Sequence, residues 1–334
     1  MQAMRLPAHR LAEDQPLILD RVDIPEPGPA QVRLRVQTCG VCHTDLHTVE
    51  GDIRPPRLPV TPGHQVVGIV DAIGKEIESK VKLGERIGVP WLYATCGACK
   101  FCQTGNENLC PEAQFTGFHK DGGYASYMLA EANFVFPIPS EISDIEAAPL
   151  LCAGIIGYRS LRLADLNPGE RLGLVGFGAS AHLAIQVARH WNCEVYVFTR
   201  SEKHRRHARD LGAAWVGGVE DKAPQLLDRA VIFAPAGSLV PLILEKIRPG
   251  GTLAINAIHM SPIPKMRYHL LYGERTLRSV ANATYQDGVE FLKLAVEIPI
   301  KASTTPYDLQ NANQALLDLK QSRINGEAVL VIGS

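Results

Sequence analysis

The sequence predicts a chain of two parts: a mainly β segment, then an α/β domain built on a doubly wound parallel sheet. Three observations carry this reading. Before residue 150 the apolar runs are short and bounded by turn residues. After it, strand-like apolar runs alternate with segments of helical spacing, the pattern of βαβ units. Within that alternation, the glycine-bearing stretch Val175–His182 follows a strand and opens a helix. With 334 residues, the chain is long enough for two domains of ordinary size.

Val32–Gln37, Gln65–Ile73 and Tyr124–Leu129 read as strands, and Pro25–Pro29 and Pro55–Pro56 punctuate the region. Arg171–Val175 is a short apolar run of the buried type. Ala179–His190 has helical spacing, with Leu183, Val187 and Trp191 on one face. Glu194–Phe198 is a second buried-type strand, and Lys203–Leu211 a helix stopped by Gly212. Ala230–Phe233 and Thr252–Ile255 add strands. The tail carries helix candidates at Asp287–Val296 and Ala312–Lys320 and a final strand at Ala328–Ile332.

Composition excludes several function classes. The chain is 46% hydrophobic and 21% charged, with 34 basic and 35 acidic residues and a net charge of -1. Such a balance gives no footing for nucleic acid or an anionic membrane as partner. Arg5, Pro7, Arg10, Glu13, Asp14 and Pro16 interrupt the first residues, so no apolar leader is expected there. Leu172–Ala188, the most apolar long stretch, holds His182, Gln186 and three glycines, too polar for a membrane span. The expected location is the cytoplasm. Clustered thiols in a reducing compartment point to metal rather than disulfides.

Cys96, Cys99, Cys102 and Cys110 form C-x2-C-x2-C-x7-C. Four thiolates suit tetrahedral zinc, and four protein ligands close the site, so its role is structural. An iron–sulfur cluster also takes four cysteines. Gly176, Gly178, Ala179 and Ala181 fit G-x-G-x-x-A, a variant of the dinucleotide-binding fingerprint. Glycine lets the backbone turn and approach a pyrophosphate, and the helix N-terminus at Ala179 offers unpaired N–H groups to that anion. The second strand is expected to end at Thr199, where NAD enzymes usually carry an acid for the ribose hydroxyls. Thr199 is not an acid, and Arg200 follows it with Lys203 nearby, a tilt toward NADP over NAD. The alternative is that these cations are a solvated helix start.

Cys39-Gly-Val-Cys-His-Thr-Asp-Leu-His47, Gly63-His64-Gln65, Trp91-Leu92, Asp121-Gly-Gly-Tyr124 and Leu150-Leu-Cys152-Ala-Gly154 occur in that order around the cysteine lobe. Together they resemble the zinc-dependent alcohol dehydrogenases of the medium-chain dehydrogenase/reductase superfamily over essentially the whole chain. The resemblance implies that Cys42, His64 and Cys152 bind a catalytic zinc, making two zincs per chain, with Cys39 a nearby non-ligand. Two thiolates and an imidazole are the ligand set given for alcohol dehydrogenase among zinc enzymes. Zinc so held lowers the pKa of an alcohol hydroxyl or polarises an aldehyde carbonyl. The resemblance further implies that Thr44 passes the substrate proton and His47 carries it to solvent. It places Asp45 behind His64, His43 near the cofactor pyrophosphate, and Trp91 in the wall of the substrate pocket.

Two positions depart from the family's pattern. Gln65 stands where an acid is usual, and Glu327 where many relatives carry an arginine that meets the pyrophosphate. The resemblance implies a GroES-like catalytic domain at 1–152, with its zinc lobe at 91–112, and a Rossmann domain at 153–281. Residues 282–334 return to the first domain, and the active site is expected between the two. The implied reaction moves a hydride between NAD(P) and a small primary alcohol, aliphatic or aromatic, in a homodimer or homotetramer. Two other readings fit the motifs: a polyol or secondary-alcohol dehydrogenase, and a zinc- and nucleotide-binding protein without turnover.

Overall fold

The structure is a computed structural model that describes residues 1–77 and 81–333. Glu78, Ser79, Lys80 and Ser334 lie outside the described residues. The chain divides into two compact units, one of Met1–Ala153, Asn282–Val296 and Lys301–Ser334, the other of Gly154–Ala281 and Glu297–Ile300.

The first unit is built on a seven-stranded sheet in the order Thr304–Asp308, Glu327–Val331, Gln31–Val41, Val66–Ile73, Arg86–Val89 and Phe136–Pro137, with Tyr127–Glu131 also on Gln31–Val41. Alternation sets its inner face: Val32, Leu34 and Val36 are buried while Arg33 and Arg35 are not. The Gln31–Val41 strand runs past the expected end at Gln37. Its far half pairs with Glu327–Val331, Ala328 opposite Val41 and Val331 opposite Thr38, a partner no local pattern reveals. The expected strand Tyr124–Leu129 is instead Tyr127–Glu131. Tyr124 uses its backbone elsewhere, its N–H donating to the Pro62 carbonyl at 3.0 Å and its carbonyl accepting from Met4 at 2.8 Å.

The second unit holds a six-stranded, all-parallel sheet. Its order is Trp215–Gly217, Glu194–Phe198, Arg171–Val175, Leu227–Ile232, Ile247–Ile255 and Thr276–Ser279. Counted within the unit this is 3-2-1-4-5-6, the doubly wound dinucleotide-binding topology. Arg171–Val175 and Leu227–Ile232 flank the point where strand order reverses, and the glycine turn leaves from the first of them. The helix expected at Lys203–Leu211 spans Glu202–Asp210, because Ser201 caps it by accepting the His204 N–H at 3.4 Å. The strand expected to end at Thr199 ends at Phe198, although Thr199 still donates its N–H to Gly217 at 2.8 Å. No helix among the described residues is long and apolar enough to cross a membrane.

Candidate active site

The helix His43–Glu50 begins where the Gln31–Val41 strand stops. Its N-cap is Cys42, whose Sγ accepts the Thr44 N–H at 3.3 Å, while Asp45 Oδ2 accepts the Cys42 N–H at 3.0 Å. This reciprocal cap fixes the thiol at the helix start. Asp45 is buried, and its second oxygen accepts the Gly63 N–H at 3.0 Å and lies 3.1 Å from His64 Nδ1. That contact turns the other ring nitrogen, Nε2, toward Cys42 Sγ at 3.2 Å. Cys152 sits in the one-turn π-helix Leu150–Gly154. The ligand atoms of Cys42, His64 and Cys152 all lie within 4.8 Å of one another.

The donor set fits zinc. The Cys42 thiol is pushed well above its usual pKa by its hydrogen bond with Cys152 and by burial. Burial opposes protonation of His64, but Asp45 and Cys42 beside it outweigh burial and raise its pKa. A cation among these three groups relieves both conditions, since it takes thiolate and neutral imidazole as ligands. Two thiolates and an imidazole leave a fourth position open. Cys39 is fully buried with its Sγ toward the Gly40 carbonyl at 3.5 Å, and it is not one of the three.

Thr44 and His47 are three residues apart on one helix, which puts them on the same face. His47 Nδ1 lies 2.8 Å from Asp52 Oδ2, leaving Nε2 as the ring's remaining exchangeable position. Asp52 was not among the residues read from sequence; it lies in the loop after the helix, where a lone acid gives no signal. His43 is exposed at the helix start, its ring centroid 6.4 Å from that of His47.

Trp91 stands edge-on to the His64 ring, with centroids 4.8 Å apart. Phe115 stacks on it at 4.8 Å and 10°, Phe118 lies at 5.9 Å, and the indole N–H donates to Asn282 Oδ1 at 3.0 Å. These three neighbours were missed in sequence because they follow no spacing. Asn282 holds a left-handed φ of 54°, a conformation its short polar side chain tolerates.

Gln65 and Glu327 are both buried, and Gln65 Nε2 donates to Glu327 Oε1. Glu327, at the position where many relatives carry an arginine for the pyrophosphate, turns its carboxyl inward to Gln65. Burial pushes it up to about 8, against the lowering effect of Gln65.

In the lobe, the Sγ atoms of Cys110 and Cys96 are 3.5 Å apart, as are those of Cys99 and Cys102, and all four lie within 4.8 Å of one another. The Cys99 N–H donates to Cys96 Sγ at 3.3 Å. Backbone N–H groups of Ala98 and Cys99 and the bond from Cys110 hold the Cys96 thiol down to about 7. Four sulfurs in this closed group fit a fully coordinated zinc.

In the second unit, Gly176 turns with φ +85°, and a Cβ there would sit 3.1 Å from the Ala234 nitrogen. Gly178 is the exposed N-cap of Ala179–His190, with open space where a Cβ would stand. Ala179 is the first helical residue, and Ala181 is fully buried. The bare turn ahead of free helix N–H groups fits a pyrophosphate. Thr199 is buried at the neighbouring strand end, its carbonyl accepting Arg205 Nε at 3.0 Å, while Arg200 is exposed.

Known proteins resemble this chain over nearly its whole length. An alcohol dehydrogenase GroES-like domain matches residues 28–140, and a zinc-binding dehydrogenase domain matches residues 181–297. The Mycobacterium tuberculosis protein "Probable alcohol dehydrogenase AdhA" is 46% identical over 321 residues, covering 94% of this chain and 93% of that one. An alcohol dehydrogenase of Geobacillus stearothermophilus is 33% identical over 323 residues, covering 94% and 95%. The solved structure of a cinnamyl alcohol dehydrogenase from Sorghum bicolor matches with a TM-score of 0.90 at 27% identity, covering 99% of this chain and 97% of that one. With a GroES-like domain, a Rossmann domain and these relatives, the chain belongs to the zinc-dependent alcohol dehydrogenases of the medium-chain dehydrogenase/reductase superfamily and is an NAD(P)-dependent enzyme of that family.

Proposed function

We propose that the chain interconverts small primary alcohols, aliphatic or aromatic, with their aldehydes, using one catalytic and one structural zinc and preferring NADP. The observation that carries this is the convergence of Cys42, His64 and Cys152 within 4.8 Å, with Asp45 behind His64. When bound there, zinc supplies the Lewis acidity that makes a hydroxyl acidic or a carbonyl electrophilic, and the nicotinamide exchanges the hydride. The protein's own part is proton movement and fit. Thr44 Oγ1 accepts the substrate's hydroxyl proton and donates its own, as a hydroxyl can do both at once. His47 takes that proton onward, its ring held by Asp52. Trp91, backed by Phe115, gives the pocket a flat aromatic wall that suits an aromatic or short aliphatic group. A homodimer or homotetramer in the cytoplasm accords with the family and with eight cysteines that are all free of disulfides.

The cofactor preference rests on Thr199 and Arg200. A carboxylate at 199 would repel a 2′-phosphate, and Arg200 is exposed and free to pair with one in bidentate fashion. Steady-state kcat/KM for ethanol, benzyl alcohol, a secondary alcohol and a polyol, each with NAD and NADP, tests both parts. Primary alcohols with NADP are expected to lead. Thr199→Asp is expected to shift preference toward NAD by about 10- to 100-fold, about 1.4 to 2.7 kcal/mol of differential binding. A natural protein that strongly prefers NAD would show that the missing acid does not set the choice.

A further inference from the structure

Gln65 follows His64 directly, and none of its side chain reaches solvent. Its backbone carbonyl accepts the Gly40 N–H at 2.9 Å. Its side-chain Oε1 accepts the Ala153 N–H at 3.3 Å, and its Nε2 donates to Glu327. Gly40 lies two residues before Cys42, and Ala153 is the residue after Cys152. One residue therefore joins the three chain segments that carry the split donor set. Asp45 reaches the segments of Cys42 and His64, and Gln65 adds that of Cys152.

The surroundings are built around this contact. A Cβ on Gly40 would come within 2.7 Å of Gln65 Nε2 and 2.9 Å of Glu327 Oε1, so the pair packs against bare backbone. Glu327 is 1% exposed, and its Oε2 is buried without a hydrogen-bond partner. A carboxyl left this way costs stability. Its strand neighbours Ala328, Val329 and Leu330 are fully buried and apolar, so packing gives no reason for an acid there. The amide of Gln65 does: it needs an acceptor in a place water does not reach.

We infer that Gln65 is a positioning residue for the catalytic metal ligands, anchored from behind by Glu327. It fixes the His64 segment against the turn bearing Cys152 and the strand leading to Cys42. The inference rests on the proposal that these three residues bind zinc. It also makes the two departures from the family's pattern a single compensated pair. With an acid at 327, position 65 must offer a donor to it and an acceptor to Ala153, and an amide does both without gaining or losing a proton. A carboxylate at 65 would face a second carboxyl.

The test compares zinc release from the holoenzyme into excess 1,10-phenanthroline, followed by the visible spectrum after cobalt reloading and by Tm. Cys42→Ser identifies the release phase of the split site. Gln65→Leu is expected to speed that phase roughly 10- to 100-fold, the usual effect of losing a group that supports a ligand, and to shift the cobalt bands. Gly40→Ala should act in the same direction by pushing the pair apart. The exchange Gln65→Glu with Glu327→Gln keeps one acid and one amide in reversed order and is expected to restore release to within about threefold of natural. A Gln65→Leu protein with natural release and natural cobalt bands overturns the inference even if its Tm falls, because its role is then only structural. If that variant does not fold, an exchange variant that loses metal as fast as Gly40→Ala overturns it. If Cys42→Ser keeps both release phases, the ligand proposal fails and the inference falls with it.

Discussion

The four thiols of the lobe come from one short stretch between Cys96 and Cys110, whereas Cys42, His64 and Cys152 come from three distant segments. The lobe is held by its own loop: Cys99 donates its N–H to Cys96, and Cys96, Cys99 and Cys102 are only partly buried while Cys110 is buried. The split set is held by the fold. Asp45 and Gln65, both buried, tie together strand, helix and turn through hydrogen bonds. A locally held group depends on its ion for shape, while a fold-held group has its shape before the ion arrives.

The largest effect expected from that contrast is an exchange of phenotypes. Cys42→Ser should remove turnover, at least about a thousandfold, with Tm within about 2 °C of natural, since only the ion's grip is lost. Cys99→Ser should do the reverse, dropping Tm by several degrees while refolded protein keeps measurable activity. Activity and calorimetry on the same preparations check this, and similar losses in both readouts for both variants would erase the distinction.

The fold was legible in sequence where residues speak for themselves. The strand Arg171–Val175, the glycine turn and the helix Ala179–His190 were read with their observed bounds, because period and turn chemistry are local. The far half of Gln31–Val41 was not, because its partner strand lies almost at the other end of the chain. The same division holds in the candidate site. Motif residues such as Cys42 and His64 were legible as what the family resemblance implies. Asp52, Phe115, Asn282 and the meeting of Gln65 with Glu327 were not, since each depends on a contact that only folding creates.

A smaller effect concerns the helix that bears Cys42 as its cap. Thr44→Ala should cost about 10² to 10⁴ in kcat, the range of a positioned proton-transfer group. His47→Gln should cost about 10- to 100-fold and alter the pH–rate profile. An unchanged profile in His47→Gln would remove that residue from the relay.

A further effect lies in the second unit. His182 is fully buried, and burial, with His207 adding, pushes its pKa down to about 4 from an ordinary 6.5. Below pH 6.5 the unfolded chain protonates this ring and the folded chain does not. Its contribution is therefore present above about pH 6.5 and is lost as pH falls toward 4, at most about 3 kcal/mol. Urea unfolding followed by a Rossmann-unit probe should show this slope in the natural protein and a weaker one in His182→Leu. Equal slopes would assign the acid sensitivity elsewhere.

Zinc content measured on fully loaded protein tests the two-site description most directly. Two zincs per chain are expected in the natural protein and one in Cys42→Ser, the remaining ion being that of the four-cysteine lobe. One zinc or fewer in the natural protein, or no loss in Cys42→Ser, would contradict it.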